Sequence, residues 1–311
     1  MAAMDALTFP EPEHSNVHAV ETGGGYLWAG ICRGPSLLVR LSPDLQTIDE
    51  IEFDCEGGLH DLAFDGSDLW VAHSSGHLSR LDPATGDYET FSIAASDGQR
   101  NFLYCLTFDG ENLWTGTYTD PGRIFRVDPT DGSYEEIMLP EAPNHAVRAL
   151  TTTPDALWVG LYTVPGRVVR IDRRSLEQET IDLGEENMLC TSATFDGRFV
   201  WLGLDTMPAR VVRVDRATRT FRGFDLWPDS SCVRGLTFDG RFLWLGLYME
   251  PGELVRFDPD SGEYQRHVMP ARFSNVRDLA LQDRTLWAVT QNVRYEPSGI
   301  CGLRIDEVED G

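Results

Sequence analysis

The sequence predicts an all-β fold, a seven-bladed β-propeller, and three observations support this prediction. First, short runs rich in β-branched and aromatic residues alternate with Asp-Gly or Asp-Pro-x-x-Gly turns, the pattern of antiparallel hairpins. Second, no segment has sustained helical periodicity. Third, an apolar run containing Trp recurs every 42 to 44 residues, a spacing typical of four-stranded propeller blades. These tryptophans are Trp28, Trp70, Trp114, Trp158, Trp201, Trp244 and Trp287.

Each repeat carries its parts in the same order, which the stretch 233–264, VRGLTFDGRFLWLGLYMEPGELVRFDPDSGEY, shows in full. An apolar run leads to a Phe-Asp-Gly turn, the Trp strand, a Pro-Gly connection, a V-x-R-x-D strand and a second turn. We therefore predict one propeller domain over residues 1–311. The predicted blades are about 15–53, 58–94, 101–139, 146–184, 188–226, 231–270 and 275–306.

The two ends of the chain predict how the ring closes. The stretch 7–20 aligns with 138–150 and 267–280, so residues 4–10 read as a fourth strand without a blade of its own. The seventh repeat stops after its third strand. We expect the N-terminal strand to complete blade seven and to leave no free sheet edge there.

The constant positions of the repeat have structural explanations. The Trp is a large apolar body that we expect to fill the gap between neighbouring blades. An Arg recurs in the third strand of every repeat, and in six of them an Asp follows two residues later. Residues two apart share one face of a strand, so we expect these side chains to form a fixed ion pair or to brace the turn.

Composition excludes several functional classes. The chain has a formal net charge of −24, and all 26 of its basic residues are arginines. A lysine Schiff base and a Walker-type phosphate loop are thus excluded, and nucleic-acid binding is not expected from so acidic a surface. The N-terminal stretch resembles no signal peptide, and no apolar run is long enough to span a membrane. We expect a cytoplasmic protein with six reduced cysteines, without CxxC spacing.

Function should reside where equivalent positions differ between repeats. The position ten residues before each Trp starts the innermost strand, at one mouth of the central channel. It is always polar, whereas the residue two later is apolar. The residues at this position, the mouth ring, are His18, His60, Tyr104, Arg148, Thr191, Arg234 and Arg277. Four residues after each Trp, on the same face, lie Cys32, Ser74, Tyr118, Tyr162, Asp205, Tyr248 and Gln291.

These two sets predict a cup for a small anionic or carboxylate-bearing molecule, because arginines bind such groups through paired hydrogen bonds. The candidate catalytic residues are His18, His60 and Tyr104, as acid and base. The candidate substrate-binding residues are Arg148, Thr191, Arg234, Arg277, Tyr118, Tyr162, Asp205, Tyr248 and Trp227. Trp227 is expected to close over the ligand. Alternatively, the arginines pair with Asp61, Asp278 and Asp205, and the channel holds only water.

We predict no organic cofactor, and a bound divalent metal ion is the alternative that the sequence leaves open. Four of the seven histidines fall in blades one and two, and neutral imidazoles beside a carboxylate are transition-metal ligands. The metal candidates would be His60, His73 and His77. Other repeats carry Leu at the position of His73, which favours a packed histidine there.

Seven units of the form LW…PGxVxRxDPxTG resemble the streptogramin-lyase-like propellers, of the virginiamycin B lyase type, over the whole chain. The resemblance implies a histidine at the start of an innermost strand, a second histidine from a neighbouring blade and a glutamate ending the Trp strand. His18 and His60 match the histidines. The stretches after Trp28 and Trp70 read AGICRG and VAHSSG, so the glutamate has no counterpart. An elimination or isomerisation with other acid–base groups is then the implied reaction.

A second interpretation is a non-catalytic scaffold for protein–protein interaction, since propellers serve many functions. Such a scaffold displays its binding residues on loop rims and outer strands. The mouth ring is polar, with histidines and a tyrosine on one side and arginines on the other, which favours a small-molecule site. Binding of a protein partner is the alternative.

Overall fold

The computed structural model describes residues 4–9, 16–140, 146–291 and 298–305. These residues form 28 strands in seven four-stranded antiparallel sheets, and no α-helix is present among them. The innermost strand of each sheet contacts the innermost strands of the sheets on both sides, so the seven sheets form a ring. The predicted seven-bladed, all-β architecture is confirmed.

The strands of each blade are given in order from the channel outward. Blade one contains β2 (Val17–Gly23), β3 (Tyr26–Ile31), β4 (Leu37–Leu41) and β5 (Thr47–Glu52). Blade two contains β6 (Leu59–Phe64), β7 (Leu69–His73), β8 (His77–Leu81) and β9 (Tyr88–Ser92). Blade three contains β10 (Leu103–Phe108), β11 (Leu113–Thr117), β12 (Arg123–Val127) and β13 (Tyr134–Met138). Blade four contains β14 (Val147–Thr152), β15 (Ala156–Leu161), β16 (Arg167–Asp172) and β17 (Gln178–Asp182).

The remaining three blades follow the same plan. Blade five contains β18 (Cys190–Phe195), β19 (Phe199–Leu204), β20 (Arg210–Asp215) and β21 (Phe221–Asp225). Blade six contains β22 (Val233–Phe238), β23 (Leu243–Leu247), β24 (Glu253–Phe257) and β25 (Tyr264–Val268). Blade seven contains β26 (Val276–Gln282), β27 (Thr285–Thr290), β28 (Gly299–Arg304) and, as its outermost strand, β1 (Met4–Thr8).

The ring closes as the sequence predicts. β1 pairs antiparallel with β28, with Met4 opposite Leu303 and Thr8 opposite Gly299. The first strand of the chain therefore covers the edge that the last strand would otherwise expose. Residue 10 of the predicted strand, and residues 15 and 306 of the predicted blade limits, lie outside the described residues.

A tryptophan fills each gap between blades, also as predicted. The seven Trp side chains are between 0% and 4% exposed. Each belongs to a hydrophobic cluster shared with the following blade, as Trp28 packs with Leu59 and Leu69, and Trp287 packs with Val20 and Leu27. Because every cluster joins two blades, the hydrophobic core is a ring of seven wedges around the channel.

The Phe-Asp-Gly turn orients the tryptophan, a role that sequence reasoning missed. In blade six, Asp239 accepts hydrogen bonds from the backbone N–H groups of Arg241 and Phe242, at 2.8 and 2.7 Å. Its second oxygen accepts from the indole Nε1 of Trp244 at 2.6 Å. The equivalent Asp–Trp bonds in blades two, three and five measure 2.6 to 2.8 Å. One carboxylate thus fixes both the turn and the wedge.

The recurring third-strand Arg and Asp act separately more often than as a pair. Arg170 lies 3.7 Å from Asp172. In blade two, however, Asp82 accepts from the backbone N–H groups of its own turn, whereas Arg80 bonds Glu89 on the outermost strand. Arg80 also donates to the carbonyl oxygen of Pro129 in blade three at 2.8 Å. The Asp therefore braces the turn, and the Arg joins two blades.

Two further sequence-based expectations concern the chain as a whole. All six cysteines are free thiols in the structure. No described segment forms a helix with the length and apolar character required to cross a membrane.

We predict that deleting residues 1–9 lowers the melting temperature by at least about 5 °C, because β28 then becomes an open sheet edge and its apolar face loses cover. Thermal unfolding followed by circular dichroism measures this change. The control is Asp5→Asn, at an exposed position of β1, which should keep the melting temperature of the parent protein. An unchanged melting temperature of the deletion variant would contradict closure by β1.

We predict that Asp239→Ala lowers the free energy of unfolding by about 2–3 kcal/mol, because it removes the acceptor of two backbone bonds and one indole bond. Urea unfolding measures this loss. The matched control is Asp229→Ala at an exposed loop position, where the change should stay within about 0.5 kcal/mol. Equal losses in both variants would refute the role assigned to the Asp.

Candidate functional site

A β-bulge starts every innermost strand. In all seven blades the pairing between the first and second strands shifts by one residue, so that one residue lies outside the ladder. Bulges redirect side chains and are common beside functional sites. The seven bulged residues are His18, His60, Tyr104, Arg148, Thr191, Arg234 and Arg277. They are the residues of the mouth ring.

The bulges direct the mouth ring into the central channel. All seven residues line a cavity of about 510 Å³, whose wall comes from the innermost strands of all seven blades. The structure therefore brings the predicted ring together around one axis. Below the ring, the wall carries apolar residues such as Leu62 and Leu150, and three carboxylates, those of Glu21, Asp61 and Asp278.

Side chains of the mouth ring bond to each other across the channel. Arg148 Nη2 donates to the Tyr104 hydroxyl at 2.6 Å, and Arg277 Nη2 approaches the same hydroxyl at 3.4 Å. Arg277 also lies 3.2 Å from Nδ1 of His18. Because Arg277 belongs to blade seven and Tyr104 to blade three, this contact crosses the channel. Tyr104 is thus the meeting point of two guanidinium groups.

Aromatic rings surround Arg148, as the predicted cup requires. Its guanidinium carbon lies 4.5 Å from the ring centroid of Tyr162, 5.0 Å from that of Tyr104 and 5.5 Å from that of Tyr118. Phe102, which sequence reasoning missed, extends this wall by packing against His60 with ring centroids 4.7 Å apart. Cation–π contacts of this kind stabilise a guanidinium without cancelling its charge.

Only one of the three ring arginines has a carboxylate partner within the described part of the chain. Arg234 Nη2 bonds Asp205 at 2.9 Å, and the hydroxyl of Tyr162 donates to the same carboxylate at 2.8 Å. No described carboxylate lies within 4 Å of the guanidinium of Arg148 or of Arg277. The Nε groups of all three arginines also have no hydrogen-bond partner among the residues that the structure describes.

The other two acidic residues expected to neutralise the arginines have a different role. Asp61 accepts from the backbone N–H of Leu106 in blade three at 2.7 Å. Asp278 accepts from the backbone N–H of Val20 in blade one at 2.9 Å. The alternative in which Asp61, Asp278 and Asp205 pair with the arginines is therefore correct for Asp205 alone. Asp61 and Asp278 tie neighbouring blades together.

Burial within the ring favours the protonated forms of the channel carboxyls. Burial raises the pKa of Glu21 to about 7, and the nearby charge of Asp278 adds to this effect. Burial also raises the pKa of Asp278 to about 6. The pKa of Asp61 lies well above its usual range because of burial and of repulsion by Asp278.

The arginines act in the opposite direction on Tyr104. Burial opposes ionisation of the phenol, but the positive charges of Arg277, Arg148 and Arg234 outweigh it and lower the pKa of Tyr104 below its usual value. The same charges stabilise any other anion that reaches this position. The electrostatics of the mouth therefore favour negative charge at one point, the Tyr104 hydroxyl.

The two ring histidines are neutral. Burial, Arg277 and Arg148 lower the pKa of His60 to about 3. Burial and Arg277 likewise hold the pKa of His18 well below its usual range. The rings lie edge to face, with the two Nδ1 atoms 3.3 Å apart. Neither imidazole is charged near neutral pH, so neither has an acidic proton to donate as an imidazolium.

Several predicted site residues lie elsewhere or have structural roles. Thr191 donates its hydroxyl to the backbone oxygens of Gly203 and Val233, at 3.0 and 2.5 Å, which joins blades five and six. Tyr248 approaches Gln291 at 3.4 Å. Trp227 does not cover the channel. Its indole packs 3.8 Å beneath the guanidinium of Arg266 on the outermost strand of blade six.

The histidines proposed as metal candidates do not converge. His73 is buried, and its two ring nitrogens bond the hydroxyls of Ser36 and Ser79 at 2.8 and 2.9 Å. His77 bonds Ser75 at 2.9 Å. Because other repeats carry Leu at this position, the sequence favours a packed histidine, and the structure shows His73 in that role. His60 instead contacts Cys32, whose sulfur lies 3.4 Å from its Nε2.

Comparisons with known proteins support the fold and no more. No protein-family model matches the chain, and no curated protein matches it. Among solved structures, the chain is similar to the crystal structure of the Cps50 (Swd1) β-propeller domain of Myceliophteria thermophila. The TM-score is 0.71 at 15% sequence identity, over 96% of this chain and 98% of that chain. The chain is a seven-bladed β-propeller, and its resemblance to the streptogramin lyases is not confirmed beyond that fold.

We predict that Glu21→Gln raises the free energy of unfolding at pH 8 by about 1–3 kcal/mol and has no effect at pH 4. The folded protein holds the Glu21 proton up to about pH 7, whereas the unfolded chain releases it near 4.5. The stability that this proton contributes is full below pH 4.5 and is lost as the pH rises through 7. The amide preserves the acceptor for the Thr22 N–H group.

Urea unfolding at both pH values tests this prediction, with Glu111→Gln at an exposed turn as the control. The control should be unchanged at either pH. A gain at pH 4 equal to the gain at pH 8 would mean that repacking, and not removal of the titrating carboxyl, stabilises the variant.

Proposed function

We propose that this propeller is a binding protein for a small carboxylate or a similar anion, which it holds at the mouth ring without catalysing a reaction. The observation that supports this proposal most strongly is that Arg148 and Arg277 point to one hydroxyl, that of Tyr104, and have no described carboxylate partner. A partly buried guanidinium without an anion carries an uncompensated desolvation cost. A bound anion supplies the missing charge.

The local positive charge of the mouth ring supports an anion as the ligand. The chain as a whole carries a charge of −24 and repels anions at long range. At the mouth, three arginines face one axis, and among the described carboxylates that of Asp205 alone forms an ion pair with one of them. A cavity of about 510 Å³ accommodates a small molecule, and Arg presents its paired N–H donors to planar carboxylates.

Binding fits the site better than the acid–base reaction that the sequence suggests. A general base works best with a pKa near the working pH, and the pKa of His60 is about 3. The glutamate implied by the streptogramin-lyase resemblance has no counterpart in the chain. Among the mouth-ring residues this leaves Tyr104 for proton transfer, and the carboxylates of Glu21, Asp61 and Asp278 in the channel wall already accept bonds from backbone N–H groups. We therefore do not include catalysis in the proposal.

Native mass spectrometry of gently purified protein, compared with its denatured mass, is the experiment that tests the proposal directly. Extra mass that is lost on denaturation and identified as a small organic acid would support it. A thermal-shift screen with citrate, benzoate, pyruvate and phosphate covers anions that bind too weakly to survive purification. No extra mass together with no stabilisation by any of these anions would refute the proposal.

We predict that Arg148→Gln combined with Arg277→Gln weakens anion binding at least 100-fold, because two charge-assisted contacts are lost. Isothermal titration of the best anion from the screen measures the loss. Arg100→Gln, at an exposed position away from the mouth, is the matched control and should bind like the parent protein. Equal affinity of the double variant and the control would exclude the mouth ring as the anion site.

A second candidate function is the non-catalytic interaction scaffold, and a specific observation favours it. Three apolar or aromatic side chains are exposed in adjacent blades: Met207 by 73%, Val164 by 54% and Tyr118 by 40%. They lie in the connections after the second strands, on the same face as the mouth ring, because Leu161 at the end of β15 pairs with Val147 beside Arg148. An apolar patch on a partner protein would fit this rim.

The variant Met207→Glu, Val164→Glu separates the two functions. If the rim binds a partner protein, the variant loses the complex seen by co-purification and size-exclusion chromatography, while its anion affinity is unchanged. If the complex persists in this variant but disappears in the double arginine variant, the mouth ring and not the rim carries the interaction.

A further inference from the structure

Two histidines and a cysteine from blades one and two come together at the edge of the mouth ring. His18, Cys32 and His60 each offer one ligand atom, and these atoms lie within 4.8 Å of one another. The shortest approaches between the side chains are 3.3 Å between the two Nδ1 atoms and 3.4 Å between the Cys32 sulfur and Nε2 of His60, of whose two nitrogens only one would bind the metal. Among the described residues, no other group of His, Cys, Asp and Glu side chains converges in this way.

The backbone around Cys32 is held in place. The N–H of Cys32 donates to the backbone oxygen of Asn16 at 2.8 Å, and its carbonyl accepts from the Asn16 side chain at 2.9 Å. The sulfur lies against Gly58, where a β-carbon would stand only 2.6 Å from it. A glycine at residue 58 is thus required for this position of the thiol. The three ligand atoms depend on two neighbouring blades whose relative positions the core fixes.

The ligand set suits a metal that replaces one proton. Imidazole binds a metal as a neutral ligand, whereas the side chain of Cys32, a free thiol in this structure, binds as a thiolate. Binding a cation would convert this thiol into a thiolate, release one proton to solvent and form a sulfur–metal bond. No oxidation or reduction is involved.

The charge of the surroundings selects among cations. Arg277 lies 3.2 Å from His18, and Arg148 also faces the pair. A divalent ion with one thiolate keeps a net positive charge beside these guanidinium groups, which repel it. A monovalent ion with one thiolate is neutral. Among first-row metals, Cu(I) is the monovalent ion that prefers thiolate and imidazole ligands.

We propose that His18, Cys32 and His60 form a three-coordinate Cu(I) site at the rim of the channel. The site takes a soft, monovalent cation and excludes Zn²⁺, although its ligand types also suit zinc. It stands independently of anion binding at Arg148 and Arg277, because its neutral complex leaves both guanidinium charges uncompensated.

Anaerobic competition with the chromogenic Cu(I) chelator bicinchoninate tests this proposal on the full-length protein. We expect uptake of one equivalent of Cu(I), and an affinity at least 100-fold lower in Cys32→Ser. The matched control is Cys55→Ser, a second half-buried cysteine outside the cluster, which should bind like the parent protein. A second pair compares His60→Gln, expected to lose affinity, with His77→Gln, expected to keep it.

Thermal unfolding of the copper-free variants shows whether they fold, and only variants with the parent melting temperature are compared. Zn²⁺ titrated into the reduced protein should bind at least 100-fold more weakly than Cu(I). The proposal is overturned if the parent protein takes up less than one equivalent of Cu(I). It is also overturned if Cys32→Ser and Cys55→Ser bind equally, or if Zn²⁺ binds as tightly as Cu(I).

Discussion

The packing of one tryptophan into every gap between blades is the constraint on which the structure depends. Six of the seven indoles bond through Nε1 to the turn of their own blade, and all seven pack against the next blade. Neighbouring blades therefore meet at a similar angle around the ring, and seven such wedges close a circle around a channel. The closing strand β1 and the arginines that reach the next blade act on a ring whose geometry these wedges determine.

Most of the fold was predictable because large residues, above all tryptophan, recur at regular spacing and mark each repeat. The spacing of the tryptophans indicates the number of blades, and the unmatched strand at 4–10 indicates how the ring closes. The mouth ring was predictable for a related reason: a bulge occurs at the same register in every blade, so alignment alone brings its residues together. Such predictions need only the comparison of equivalent positions between repeats.

The contacts between repeats were not predictable in this way. Nothing local distinguishes Asp205, which neutralises Arg234, from Asp61, which bonds a backbone group of the next blade. Cys32 lies beside His60 only because blades one and two are neighbours in space. Trp227 packs outward because Arg266 stands beside it on the outermost strand. In each case the partner lies in another blade, where sequence spacing carries little information.

The bulge at the start of each innermost strand has a consequence for how such a protein can change. Its side chain lies outside the strand ladder and lines the channel, so its identity is less constrained than that of the core residues, although Thr191 and Tyr104 also contact a neighbouring blade. Histidine, tyrosine, threonine and arginine occupy equivalent positions here without altering the blade. The channel mouth therefore presents seven variable side chains on a constant backbone. Substituting these residues one at a time can change the ligand that the mouth binds, with little effect on folding.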